Sequence, residues 1–330
     1  MVDKLVLSVI IPCYNAAGTI RETILSILAS DFDKKFEIIV VDDGSTDGST
    51  AGIENLNVKL IKQENKGAAA ARNRGTREAS ADLIVFVDSD VVFFKSTLRK
   101  IYQHLIKDDV HYVSTRYSKT PLNNGFIHKY KALADYCYYY DFIFTAKEKE
   151  SVIKRVCIAG GTEGYKKSVF EVLGGFDETI KGALTEQENL ISELAKEYNM
   201  IADGNIILKH HFPDFIPLVK KYLWRTLYAM RVIKNGHYVQ PYLKKNIFRV
   251  ILAPLAIIAL LLFLLKGNIV CLGTALFFLL SYMFLHLKLY ILAFKRQGIW
   301  FLIYTIPVNF FFSNLISFAG FLGTIRKILR

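Results

Sequence analysis

Residues 36–48 read FEIIVVDDGSTDG, and their reading decides the fold. Phe36 to Val41 is a short apolar run, the pattern of a strand buried on both faces. Asp42-Asp43-Gly44-Ser45-Thr46-Asp47-Gly48 then ends it in a polar turn. Upstream, Leu5 to Pro12 (LVLSVIIP) is a run of the same kind, closed by Pro12 and by Asn15-Ala16-Ala17-Gly18. Between the two, Thr19 to Leu28 places apolar residues at 20, 24, 27 and 28, the spacing of one helix face. Downstream, Lys59 to Lys62 reads as a short strand, Ala68 to Ala79 as a helix, and Leu83 to Val87 (LIVFV) as a further strand. Apolar strands alternating with helices predict an α/β domain with a mostly parallel sheet and right-handed crossovers. Ligands of such sheets bind beyond the carboxyl ends of the strands. Two acidic clusters sit at those ends, Asp42-Asp43 and Asp88-Ser89-Asp90.

The 330 residues are 52% hydrophobic and 22% charged, which excludes a disordered chain. Cys13, Cys137, Cys157 and Cys271 are far apart, without the paired spacing of a disulfide framework or a zinc ribbon, so a reducing compartment is expected. Leu5 to Cys13 is too short for a secretory leader and lacks a small-residue cleavage site. The net charge of +12 is not spread evenly. Residues 215–330 hold 15 of the 42 basic residues and no Asp or Glu. The first 214 residues therefore carry 27 basic against 30 acidic side chains, a net of −3.

The apolar residues concentrate in the same half. Ile247–Leu265 and Ile269–Leu287 are each 19 residues, about 28 Å as helix and close to the thickness of a bilayer core. Only Lys266-Gly267-Asn268 separates them, which predicts a tight helical hairpin. A third stretch, 299–322, is interrupted by Pro307, Asn309 and Asn314; it either spans or lies re-entrant or interfacial. Basic residues that flank apolar spans point to anionic lipid as a partner rather than nucleic acid. Their excess before the first span, from Lys220 to Lys245, against the lone Lys266 in the hairpin places the soluble domain in the cytoplasm of a multi-pass membrane protein. Three regions follow: a soluble α/β domain over 1–213, an amphipathic interfacial stretch over 214–245, and a membrane region over 246–330.

Three features carry chemistry. Asp88-Ser89-Asp90 follows five apolar residues, and carboxylates two apart at a strand end can converge on one hard divalent cation; surface turns contain the same pattern. Asp43 could accept hydrogen bonds from a base or a ribose, although Asp also simply ends strands. Arg72, on a helix that follows Asn65-Lys66-Gly67, offers the fixed donor fork that suits diphosphate, or else a solvated helix face.

Taken in order, Ser8-Val9-Ile10-Ile11-Pro12-x-Tyr14-Asn15, Val40-Val41-Asp42-Asp43-Gly44-Ser45-Thr46-Asp47, Asn65-x-Gly67 with Ala71-Arg72-Asn73-x-Gly75, Phe86-x-Asp88-Ser89-Asp90 and Gly174-Gly175-Phe176-Asp177-Glu178 resemble the family 2 glycosyltransferases. The resemblance covers about residues 5 to 212. It implies the GT-A fold, Rossmann-like with a mostly parallel sheet, and a nucleotide-sugar donor linked to UDP or GDP. It implies that Asp43 binds the base beside Pro12 and Tyr14, and that Asn15, Gly67, Arg72, Asp88 and Gly161 complete the donor site. Asp88 and Asp90 would hold Mg2+ or Mn2+ on the diphosphate; His210-His211 resemble the family's terminal histidine before the membrane-facing helix, with His211 either at the metal or diphosphate or else in a hydrogen-bonded structural place.

One position departs from the pattern. The family has Glu-Asp at the start of a helix, the Asp serving as base; this chain has Glu186-Gln187-Glu188. Gln cannot accept a proton at neutral pH. Glu186, or else Glu188, has taken the role, or the enzyme is impaired, or the acceptor is an already ionised phosphate. The leading expectation is an inverting glycosyltransferase acting on a lipid-linked acceptor. A polyprenyl-phosphate sugar synthase and a catalytically impaired nucleotide-sugar-binding partner are the alternatives.

Overall fold

The structure is a computed structural model, and it describes residues 4–137, 151–152, 162–179, 186–232 and 241–328. Contacts divide the chain into two compact units, one of residues 1–122 with 140–211 and one of residues 123–139 with 212–330.

The first unit is built on one sheet. Its parallel half contains β1 (Leu7–Cys13), β2 (Phe36–Asp42), β3 (Lys59–Lys62) and β4 (Leu83–Val87), in the spatial order β3-β2-β1-β4. The crossovers carry α1 (Ile20–Leu28) and α2 (Ala68–Arg77). Beyond β4 the sheet is mixed. β8 (Thr162–Lys166) runs antiparallel to both β4 and β6 (Tyr112–Tyr117), and β9 (Met200–His210) runs parallel to β6. β5 (Val91–Phe93) and β7 (Ser151–Val152) pair antiparallel with β9.

The continuous apolar strands arise because both faces of the sheet are covered. Leu7, Val9, Ile11 and Cys13 of β1 enter one core cluster while Ile10 enters the other; Ile38 and Val40 divide from Ile39 and Val41 in the same way along β2. That is the twofold side-chain period of a strand. The first cluster is completed by Ile20, Ile24 and Ile27 of α1 and by Leu98, Ile101 and Leu105 of α3 (Thr97–Leu105). The second contains Ala69 and Ala71 of α2, Val169 and Phe170 of α5 (Lys167–Val172), and Leu190, Ile191 and Leu194 of α6 (Glu186–Glu197). α2 lies unusually close to β1, since a Cβ on Gly75 would come within 2.3 Å of Ile10 Cγ2. Its alanine-rich face and Gly75 permit that approach.

The second unit is helical among the described residues: α4 (Phe126–Asp135), α7 (Phe215–Val232), α8 (Pro241–Lys266), α9 (Ile269–Leu285), α10 (Leu287–Gln297) and α11 (Ile299–Ile328). Here the division differs from a boundary near residue 213. α4 lies inside the catalytic stretch of sequence, yet Ile127, Tyr130 and Leu133 share a core with Leu218, Leu289, Tyr290, Phe301 and Phe312. Tyr130 donates its hydroxyl to Asn309 Oδ1 at 3.0 Å, and Asn309 Nδ2 donates to the Tyr282 hydroxyl at 2.7 Å.

Among the described residues two helices are long and apolar enough to cross a membrane, over Arg249–Lys266 and Ile299–Ile325, or three if the bent pair α9–α10 is one span. α8 and α9 pack side by side across a turn that holds Gly267 at φ +63, with Asn268 Oδ1 accepting from Val270 N at 2.9 Å to start α9. The stretch 269–287 is not one straight rod: α9 stops at Leu285, and the pair α9–α10 bends by 59° at His286. There the His286 N–H is shared between Tyr282 O and Met283 O, a bifurcated bond of the kind that ends helices. The stretch 299–322, by contrast, forms one continuous helix through Pro307. The expected interfacial region over 214–245 divides into α7 and the start of α8, with residues 233–240 outside the described ones. Leu261, Leu264, Leu265, Phe277, Leu280 and Phe284 stay exposed on α8 and α9, an apolar face that water would not favour.

Candidate active site

The acidic clusters stand where a doubly covered sheet leaves an open rim, at the carboxyl ends of β2, β1 and β4. β1 and β2 end in register, Cys13 beside Asp42, and Asp43 N donates to Cys13 O at 2.8 Å. β1 also pairs with β4, so Asp43 and Asp88 follow strands two apart, a separation of about 10 Å at ordinary strand spacing. That is the scale of a nucleoside diphosphate laid along the rim.

At the β1 end, Pro12 sits opposite Val41 and Tyr14 is 52% exposed. Asn15 takes φ +50, a left-handed conformation that Asn tolerates. Its Oδ1 accepts from Thr46 N at 2.8 Å, and its own N donates to Ser45 Oγ at 3.0 Å. Asn15 thus clamps the β1 loop to the β2 loop. Asp42 is structural as well, since its Oδ1 accepts from Ser45 N at 2.9 Å and closes the turn.

Asp43 is 3% exposed. Its Oδ1 accepts from Gln63 Nε2 and from Lys66 N, each at 2.8 Å, and its Oδ2 accepts from Gly67 N at 2.8 Å. Gly67, at φ +95, turns the chain into α2. The Asn65-x-Gly67 motif is therefore the partner of the Asp43 motif, two pieces of one loop assembly.

Arg72 follows on α2 and is 3% exposed, with Nη2 donating to Asp88 Oδ1 at 2.8 Å and the guanidinium 5.7 Å from the Phe176 ring centroid. Asn73, its neighbour, explains the GGFDE turn. Asn73 Nδ2 donates to Phe176 O at 2.8 Å and to Glu178 Oε1 at 2.9 Å, while Phe176 N donates to Asn73 Oδ1 at 3.0 Å. Gly175 lies at φ +71, and a Cβ there would stand 2.8 Å from Asn73 Oδ1. These contacts make the turn a clamp that holds Phe176 against Arg72.

Asp88 and Asp90 are both partly exposed at the end of β4. Ser89 O accepts from Thr23 Oγ1 of α1 at 3.0 Å, which pins the turn between them. His210 and His211 separate: His210 Nε2 lies 3.4 Å from Asp90 Oδ1, whereas His211 Nε2 lies 2.9 Å from Glu22 Oε2. The histidine brought to the acidic turn is thus His210, not the expected His211, because consecutive residues leaving β9 point to opposite sides. The His211 main-chain N still donates to Asp90 O at 2.9 Å. Among the described residues no group of three or more His, Cys, Asp or Glu side chains forms a metal cage. Two carboxylates at a strand end nonetheless fit Mg2+ or Mn2+, which take one or two protein carboxylates and complete their shell with substrate phosphates.

A residue that sequence reasoning missed stands behind this pair. Glu163 of β8 lies opposite Phe86 of β4 and is 0% exposed. Tyr165 donates its hydroxyl to Glu163 Oε2 at 2.7 Å. Burial pushes the carboxyl up to about 8, against smaller lowering contributions from the Tyr165 hydroxyl and the Arg72 charge. The only signal in sequence is a charged residue inside the strand TEGYK, and its significance depends on which strand lies beside it.

Glu186 and Glu188 belong to the first turn of α6, but their side chains lie outside the described residues, as does Gly161. Gln187 is partly buried in that turn.

Comparison with known proteins identifies the family and the fold. Residues 8–174 match the family model for glycosyl transferase family 2. The minor teichoic acid biosynthesis protein GgaA of Bacillus subtilis is 30% identical over 227 residues, covering 60% of this chain and 45% of that protein. The glycosyltransferase GlyG of Streptococcus pneumoniae is 33% identical over 137 residues, covering 40% of this chain and 45% of that protein. The chain thus matches less than half the length of either relative. Among solved structures, the mannosyltransferase PcManGT of Pyrobaculum calidifontis, in complex with GDP-Man and Mn2+, has a TM-score of 0.54 at 19% identity, covering 96% of this chain and 86% of that one. TarS 1-349 of S. aureus, in complex with UDP-GlcNAc, has a TM-score of 0.51 at 19% identity, covering 68% and 66%. At these identities the likeness establishes the GT-A fold.

Proposed function

Because the chain belongs to glycosyl transferase family 2, we propose that it moves a sugar, with inversion at the anomeric carbon, from a nucleotide-sugar donor to a lipid-linked glycan at the cytoplasmic face of a membrane. The observation that carries the donor half is the rim formed by Asp43 after β2 and by Asp88 and Asp90 after β4, with Arg72 of α2 bonded to Asp88. Asp43 holds the base and Tyr14, exposed beside it, covers the base plane. Arg72 orients Asp88 toward the diphosphate. Asp88 and Asp90 would hold Mg2+ or Mn2+ there, which offsets the charge developing on the departing nucleoside diphosphate. An acceptor hydroxyl attacks the anomeric carbon as the bond to the diphosphate oxygen breaks, and the hydroxyl proton passes to a carboxylate. Gln187 cannot take it, so Glu186 is assigned as base, with Glu188 as the second choice.

The acceptor half rests on the apolar helices α8 to α11 and on the exclusively basic composition of residues 215–330. A chain with that composition lies at an anionic lipid surface, where a lipid-linked glycan is presented. The name of the Bacillus relative assigns that protein to teichoic acid biosynthesis, and a role for this chain in building a glycan polymer accords with it.

The test is turnover by the detergent-purified full chain with labelled UDP- and GDP-sugars, Mg2+ or Mn2+, and a bacterial lipid extract. Extension of a lipid-linked glycan is expected. A lipid monophosphate sugar as the product replaces this reading with a polyprenyl-phosphate sugar synthase, for which an ionised acceptor would account for Gln187. Donor binding without any transfer indicates an impaired binding partner.

A further inference from the structure

We infer that the base site of this chain takes a single ring N–H donor, which selects uracil over guanine, and that Gln63 enforces the choice. The inference rests on the donor reading above and names the class of donor within it.

A carboxylate offers about four lone-pair positions, two on each oxygen. On Asp43 three are occupied. Oδ1 holds both Gln63 Nε2 and Lys66 N, and Oδ2 holds Gly67 N, all at 2.8 Å. One position remains, on Oδ2. Two of the three donors are main-chain N–H groups of the loop entering α2, where Gly67 at φ +95 sets their direction, so they cannot rotate away. Gln63 is the only donor of the three on a side chain. Its orientation is unambiguous, because a carboxylate only accepts and the amide nitrogen must face it.

Guanine presents N1–H and N2–H side by side and pairs with a carboxylate through both oxygens. Here its second donor would meet Oδ1, which is already filled. Either that donor is left unpaired in a buried setting, at a cost of about 1–3 kcal/mol, or Gln63 is displaced and left unpaired in its place. Uracil presents one donor, N3–H, which matches the one open position. Its flanking carbonyl can accept the second N–H of the Gln63 amide. Thymine has the same edge and differs by a methyl group away from it.

The test is calorimetric binding of UDP, dTDP, GDP, CDP and ADP to the detergent-purified full chain in Mn2+. UDP and dTDP, which share the one-donor edge, are each expected to bind at least tenfold tighter than GDP. In Gln63→Met, which removes the amide donors at similar volume, GDP should gain relative to UDP by at least fivefold. GDP binding as tightly as UDP to the wild type overturns the inference while leaving the donor reading intact. An unchanged UDP-to-GDP ratio in a folded Gln63→Met protein overturns the role of Gln63. Should that variant not fold, the wild-type ranking alone decides the base. No binding by any of the five nucleotides overturns both the donor reading and this inference.

Discussion

Arg72 Nη2 donates to Asp88 Oδ1 at 2.8 Å, from a guanidinium that is almost fully buried to a carboxylate about one-third exposed. The pair joins the core of the sheet to its open rim. The positive charge sits under the Phe176 ring, and the negative charge is the solvent-facing member of the pair. Arg72→Lys keeps the charge but loses the planar fork. We expect the variant to stay folded, with the donor KM raised at least tenfold and kcat lowered. Steady-state kinetics with the best donor checks this; unchanged KM and kcat would remove Arg72 from the site.

Asp90→Ala should abolish metal-dependent turnover while leaving the melting temperature within a few degrees of the wild type, because the residue is partly exposed at a strand end. Glu186→Gln should lower kcat by about 10^2- to 10^4-fold, the range of general-base catalysis, with donor binding unchanged. The same change at Glu188 is expected to have the smaller effect. Full activity in Glu186→Gln would transfer the base role elsewhere.

Glu163 gives stability a particular dependence on pH. Its carboxyl, ordinarily near 4.5, is pushed up to about 8 in the folded chain by burial. Between those values the folded state keeps a proton that the unfolded state has released. The stabilisation from this group is therefore complete below about pH 4.5 and is lost as pH rises toward 8, with a slope of at most about 1.4 kcal/mol per unit. Glu163→Gln keeps the shape, removes the titration and should flatten the profile, leaving the variant the more stable form at pH 8. Denaturant titrations at half-unit steps of pH measure it, and identical slopes for the two proteins would refute the assignment.

The approach of α2 to β1 can be tested at Gly75. A methyl group there meets Ile10 Cγ2 at 2.3 Å, a distance that forces the helix outward. Gly75→Ala should cost about 1–3 kcal/mol, the usual range for overpacking. Combined with Ile10→Ala, the two costs should fall short of additive by about 0.5–3 kcal/mol, since the second substitution removes the atom that collides. Strict additivity would mean that the helix moves freely.

The parallel half of the sheet was legible in the sequence. Leu5 to Pro12, Phe36 to Val41 and Leu83 to Val87 are uninterrupted apolar runs, and only strands covered on both faces accommodate them. Asp43, Arg72, Asp88 and Asp90 were legible for the same reason, being placed by motifs directly after those strands or on the helix between them. The greasy, exclusively basic character of the last third is composition alone. The bend at His286 was less accessible, because nothing in 269–287 interrupts the apolar run strongly enough to announce it.

What only the tertiary structure decided is every relationship between residues far apart in the chain. The antiparallel insertion of β8 beside β4 puts Glu163 behind the acidic turn, and Tyr130 reaches Asn309 across 179 residues to bring α4 into the helical unit. Asn73 meets the GGFDE turn 103 residues away, and β9 presents His210 rather than His211 to Asp90. Periodicity and turn chemistry act over a few residues and can be read locally. Which buried polar group faces which depends on strand order and register, and these follow from packing the whole chain at once.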